Sequence, residues 1–302
     1  MLVFSKHYIF NFEIMEHNNL VVCKANRIVE AGYKLSLNEQ RVVLACIGQV
    51  NSTEELLSTD EFELSAKDFA KLFSVSNENA YQALIDVTKS LFNRYLVIEN
   101  PYPENAKIKK LETRWISSIK HLPDDGKVML RFSQDMLPFL GELKGTFTRY
   151  KLENVGKMTS IHGIRLYELL AQWQGTGKRE IELNWLKEQL QLDSSYDRMN
   201  NLKARVIDPA VKDINANSNY NVSWTQRKAG RSISHLIFEF SEKKPPEPEK
   251  PKRKTKAKAK AEPVKLENID HFAEMRKRFG DAIPAGAIPP EIIEQLKTQG
   301  RW

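Results

Sequence analysis

The chain has 302 residues, enough for two domains of ordinary size, and its 41% hydrophobic content lets most of it bury a core. Its net charge of +7 suggests nucleic acid, but residues 250–260 hold seven Lys or Arg and no acid, and without them 39 basic residues face 39 acidic ones. A case for DNA binding must therefore rest on where individual cations sit.

The first 19 residues form an N-terminal extension. The run MLVFSKHYIFNFEIME is apolar, but Asn11 and Glu13 interrupt it and no small-residue cleavage site follows, so it does not read as a signal peptide. Strong patterning begins near Leu20, which makes Met15 a second candidate start. No stretch of the chain approaches the ~20 apolar residues of a membrane span.

Residues 36–50, SLNEQRVVLACIGQV, read as a helix with Ser36 as N-cap, Glu39 at the capping-box position and Leu37, Leu44 and Ile47 on an apolar stripe. A short strand, FEL at 62–64, follows. Ser65 then caps a helix that buries Phe69 and Phe73, Ser74–Ser76 make a turn, and a second helix runs from Asn77 to Phe92. Strand-like runs come next at 95–99, 114–119 and 127–132, with Asp124-Asp125-Gly126 as a hairpin signal.

The order then repeats. Residues 159–173 read as a helix with Leu166, Leu169, Leu170 and Trp173 at helical spacing; EIEL at 180–183 is a short strand; Asn184 caps the next helix; and 194–207 is a third. Asp208 and Pro209 have the form of an N-cap and first position that restart a short helix. Strands at 219–224 and 232–240 flank QRKAGR as a hairpin.

Helix, strand, helix, turn, helix, hairpin is the winged-helix order. Its two copies, 119 residues apart, predict an α+β chain of two tandem winged-helix domains related by internal duplication, at 20–143 and 144–242. Residues 243–264 are Lys- and Pro-rich without apolar periodicity and read as a disordered basic linker; 265–302 form a short C-terminal tail in which Ile292, Ile293 and Leu296 share a face.

In the second copy the helix after the turn is the one that would enter the major groove. Arg198, Asn201 and Arg205 lie at i, i+3 and i+7 beside a core face of Leu202, Val206 and Ala210, and Tyr196, Asn200 and Lys203 flank them. Arg can fork onto guanine and Asn can pair with adenine. Arg227, Lys228 and Arg231 surround Gly230 at a wing tip suited to phosphates or the minor groove. The first copy differs: its third helix carries Asn77, Glu78, Asn79, Gln82, Asp86 and Lys89, a poor electrostatic match to DNA, and Lys89 with the loop cations Lys107, Lys109 and Lys110 can make only accessory contacts.

Signatures of catalysis are missing. There is no phosphate-binding glycine loop, no His-x-His pair of the kind a nicking enzyme uses, no Cys/His cluster for zinc, and no cofactor motif. His162 and His235 read as structural, and the isolated Cys23 and Cys46 suit a reducing cytoplasm.

Three runs carry a resemblance: LSLNEQRVVLACI at 35–47, FTRYKLENVGKMTSIHGIRLYELLAQW at 147–173, and LKARVIDPAVKDIN at 202–215 with GRSISHLIFEF at 230–240. Over roughly residues 20–240 the chain resembles the iteron-binding replication initiators of theta-replicating plasmids (the RepE, RepA and π type), with His162 standing where the family leads one to expect Tyr or Phe. The resemblance implies a bacterial, plasmid-encoded, cytoplasmic protein. It would bind double-stranded DNA at origin iterons as a monomer, help melt adjacent AT-rich DNA, and recruit the host initiator, helicase and chaperones. It would also repress its own operator as a dimer held mainly by the first winged helix. The alternative is a winged-helix transcriptional repressor without a replication role.

Overall fold

The computed structural model describes residues 7–9, 20–73, 80–243, 273, 277 and 290–300. The Ser74–Ser76 turn, Asn77, Glu78 and Asn79, the basic linker and most of the tail lie outside them. The chain divides into a unit of 1–244 and a second of 245–302. In the second, a helix spans Pro290–Thr298 and buries Leu296.

The first winged helix begins with α2, Leu37–Ile47, after a short α1 at Asn26–Val29 and a two-residue strand β3, Gly32–Tyr33. Ser36 and Glu39 form the expected capping box: Ser36 Oγ accepts from the Glu39 N–H and Glu39 Oε2 from the Ser36 N–H. Glu39 also receives Arg94 Nε at 2.9 Å, which ties α2 to the end of the third helix. Strand β4, Glu61–Ser65, leads into α3, Ala66–Phe73, whose first turn is capped by Ser65 Oγ on the Asp68 N–H. α4, Ala80–Phe92, lays Leu84 and Leu91 into the core.

Strands β5, Tyr95–Glu99, and β6, Lys110–Arg114, pair with each other. The single strand expected at 114–119 is instead interrupted. Trp115 is buried between β6 and β7, Ile116–Leu122, and the chain changes sheets there: β6 pairs with β5 and β7 with β8, Lys127–Phe132. Burying so large a ring at the junction of two sheets requires the bend. The β7–β8 hairpin turns at Gly126, which holds φ 63° as the sequence suggested. Strand β1, His7–Ile9, pairs in parallel with β4 and covers the edge of this sheet.

Beyond residue 144 the chain returns to the first domain before building the second. Strand β9, Phe147–Lys151, pairs with β2, Val21–Ala25, and a short α5, Glu153–Gly156, follows it. Helix α6, Ile161–Ala171, is fixed there by a buried polar cluster. Glu168 forms an ion pair with Lys24 and accepts from the Tyr150 hydroxyl. Arg165 donates to the Val29 and Ala31 carbonyls at 3.0 and 2.7 Å. Burial lowers the Lys24 pKa, and Glu168 opposes that shift. Such a cluster holds only if its members pair, because an unpaired buried charge is costly.

The second winged helix runs α6, β10 (Lys178–Glu182), α7 (Leu183–Gln189), a long helical run at 199–217, and the hairpin β11 (Tyr220–Ala229) and β12 (Ser232–Glu242). β12 lies between β10 and β11. Two expectations fail locally. Trp173 is 47% exposed, because α6 stops at Ala171 and the chain turns before the stripe is complete. Asn184 does not cap α7; the strand runs directly into the helix and the Glu182 carboxylate accepts from the Trp185 N–H.

Candidate nucleic-acid interface

The helix expected at 194–207 is divided and extended. A 3-10 turn at Ser194–Tyr196 precedes it; Arg198 is the N-cap; α8 spans Met199–Leu202, a π turn Lys203–Ile207, and α9 Asp208–Asn217. Asp208 does not restart a helix, since both it and Ile207 are helical and the run is continuous. Pro209 has no N–H to give to the Arg205 carbonyl, and its ring would press on that carbonyl in a regular α-helix. Widening the preceding turn to i→i+5 removes the conflict.

The core face is as expected, with Leu202, Val206 and Ala210 buried. Arg198, Asn200, Lys203 and Arg205 are exposed. Asn201 is half-buried and its amide donates to the Ser195 carbonyl at 2.9 Å, so it holds the turn before the helix. Tyr196 is half-buried and packs on the core edge.

The hairpin is longer than the sequence suggested. Gln226–Ala229 belong to β11, and only Gly230 and Arg231 form the turn, with φ 63° at Gly230. β10 pairs with β12 only between Lys178↔Glu239 and Glu182↔His235, so the distal hairpin projects past the third strand. Lys228 and Arg231 are exposed on this projection. Arg227 is not at the tip: its Nε donates to Glu180 Oε1 and its Nη2 lies 2.8 Å from His235 Nδ1, so it anchors the hairpin to β10. A bulge follows it.

The first domain offers fewer cations. On α4, Gln82 donates to Asp86 at 2.9 Å and Lys89 is exposed. Lys107 and Lys109 are exposed in the β5–β6 loop, whereas Lys110 opens β6 and pairs with Glu112. Its wing tip carries exposed Asp124 and Asp125, opposite in sign to the second wing.

Several side chains that shape this surface were not singled out from the sequence, although two of them, Asp213 and Asn215, lie in the run LKARVIDPAVKDIN. Asn215 pairs with both backbone groups of Val222, its Oδ1 accepting at 2.6 Å and its Nδ2 donating at 2.9 Å, which fastens the helix to the first wing strand. Asp213 reaches back to the start of α6. Trp224 on β11 donates to Asp208. Asp and Asn inside an otherwise helical run were the available signal. Among the described residues no His/Cys/Asp/Glu group could hold a metal ion, and no helix is long and apolar enough to cross a membrane.

A tandem winged-helix fold with a cationic third helix and a projecting cationic wing defines the class of double winged-helix DNA-binding proteins. The family described as "Initiator Replication protein, WH1" matches residues 21–171, and "Initiator Rep protein, WH2" matches 182–240. The chain belongs to this initiator replication protein family. A replication initiation protein of Escherichia coli is 32% identical over 230 residues, covering 74% of this chain and 70% of the relative. The PI protein of Escherichia coli is 25% identical over 238 residues, covering 68% and 78%. A crystal structure of the Pi initiator protein in complex with iteron DNA superposes with a TM-score of 0.62 at 23% identity, covering 75% of this chain and 99% of that one.

Proposed function

We propose that the protein is a plasmid replication initiator that binds the iteron repeats of an origin, with its second winged helix as the main reader. The observation that carries this is the exposed set Arg198, Asn200, Lys203 and Arg205 on one helical run, next to a wing that projects Lys228 and Arg231. Outside the basic run 250–260 the chain has as many acids as bases, so cations gathered on one surface are not the result of a general excess of positive charge. Family membership supports the same reading.

The finer activities that the resemblance implies belong to the same reading. Bound monomers open the adjacent AT-rich DNA and bring in the host initiator, helicase and chaperones. Dimers form through the first domain, 20–143, and repress the protein's own operator. Lys89, Lys107 and Lys109 add accessory phosphate contacts, and the domain at 144–242 carries specificity. The protein works by binding in the bacterial cytoplasm, with no chemistry of its own.

Footprinting on the protein's own plasmid tests this. Protection should recur at direct repeats beside an AT-rich tract. A single protected inverted repeat in a promoter, with the origin unprotected, would replace the initiator by a repressor.

A further inference from the structure

Trp224 lies on β11 on the same face as Tyr220 and Val222, but it is only half-buried, packed on the edge of the core. Its Nε1 donates to Asp208 Oδ1 at 3.1 Å. The Lys203 ammonium lies 5.7 Å from the centre of the same ring, within cation–π range. Lys203 opens the π turn and Asp208 is the first residue after it. On a regular α-helix, residues five apart point about 140° away from each other. The wider turn closes that angle, so one indole meets both ends of the turn.

We propose that Trp224 is a positioning residue for base reading. Pro209 explains why the helix widens, but not how far its N-terminal half rotates. Trp224 fixes that rotation by taking Lys203 on its face and Asp208 on its edge. The half so fixed carries Arg198, Asn200, Lys203 and Arg205, and the residue fixing it stands at the root of the wing. The angle between helix and wing is thereby set before DNA arrives, and the Asp208 carboxylate is held on the indole, away from phosphates. Pre-set geometry of this kind favours the correct sequence over others rather than raising affinity for all DNA.

The inference rests on the second winged helix reading DNA. The full chain is used to recover a preferred duplex from a randomised library, and binding to it is compared with a scrambled duplex. Trp224→Phe removes the donor and Asp208→Ala the acceptor; Asp208→Asn keeps an acceptor oxygen. The first two should each lower the preferred-to-scrambled ratio about fivefold, the equivalent of one hydrogen bond of ~1 kcal/mol. Their combination should lose little more than either alone, and Asp208→Asn should retain the ratio. A ratio that stays at the wild-type value in Trp224→Phe and Asp208→Ala, or equal loss on both duplexes, overturns the proposal. A wild-type protein with no preferred duplex overturns the DNA-reading assignment as well.

Discussion

The Asp213 carboxylate accepts hydrogen bonds from the backbone N–H of Ser160 at 2.8 Å and of Thr159 at 2.9 Å. It therefore joins the last third of the 199–217 helical run to the start of α6, 53 residues earlier in the chain. Asn217 donates to the other oxygen at 2.7 Å. Gly163 lies against the same group: a Cβ there would sit 3.0 Å from Asp213 Oδ2 and 2.9 Å from Met158 Cε. The run GIRLYELL needs its glycine because the aspartate of the other run occupies that space.

Asp213→Ala should cost about 1–3 kcal/mol of stability, because it leaves backbone donors at a helix start without an acceptor. Gly163→Ala should also destabilise, and the double variant should lose less than the sum of the two, since both disturb one contact. Urea unfolding measures all three. Strict additivity would show that the two positions act separately.

Arg198→Ala and Arg205→Ala should each weaken specific DNA binding by about 1–3 kcal/mol and relax preference at one base position. Asn201→Ala should act differently. With its amide already given to Ser195, the main loss is in the turn, and it should appear as lower thermal stability with little change in base preference. Titration on preferred and scrambled duplexes separates these outcomes; equal loss on both duplexes for the arginines would make them phosphate contacts.

The sequence carried the fold well where local signals agreed. Ser36 with Glu39, the strand-like run at 127–132, and Gly126 at the turn before it each specify a conformation through neighbours in the chain. It failed where distant parts decide. Asp208 has the form of a cap, yet the helix continues through it, because Leu202, Val206 and Ala210 are all buried in one face and a π turn tolerates Pro209. Arg227 looked like a wing-tip cation, and only the register of β10 on β12 shows that Glu180 stands beside it. Asn201 and Arg205 occupy similar positions on a helical wheel, and nothing local says that one bonds a carbonyl six residues back.

Stability should fall with acid through His162. Burial lowers its pKa below the usual 6.5, and nearby Lys34 and Arg165 push the same way. The folded state therefore favours neutral imidazole, while the unfolded chain takes up a proton first. The contribution is intact above the unfolded pKa of about 6.5 and is lost as pH falls below it. Denaturation midpoints at pH 7.5 and 5.5 (roughly one unit either side of 6.5) should differ more for the wild type than for His162→Phe. Equal differences would place the acid sensitivity elsewhere.

Self-association should involve the first domain. Separate fragments are a poor test, because a cut near residue 145 would strip β9 from β2 and remove Glu168 from Lys24. Hydrogen exchange on the full chain avoids this. Raising the concentration should add protection within 20–143 and leave 144–242 unchanged. Protection gained only in the second region would assign the dimer contact to residues 144–242.

The wing should contribute affinity without sequence preference, and its three cations should divide. Lys228 and Arg231 project beyond β10 and are exposed. Each phosphate contact removed lowers the log–log salt slope of binding by about 0.9, so Lys228→Ala/Arg231→Ala should lower it by about 1.8. Arg227 is held by Glu180 and His235 where β10 ends. Arg227→Ala should leave the slope close to wild type and instead loosen the hairpin, which faster exchange of the β11–β12 amides would report. A slope that falls as much for Arg227→Ala as for the double variant would mean that DNA draws the guanidinium away from Glu180. An unchanged slope in the double variant would place the wing away from the phosphates.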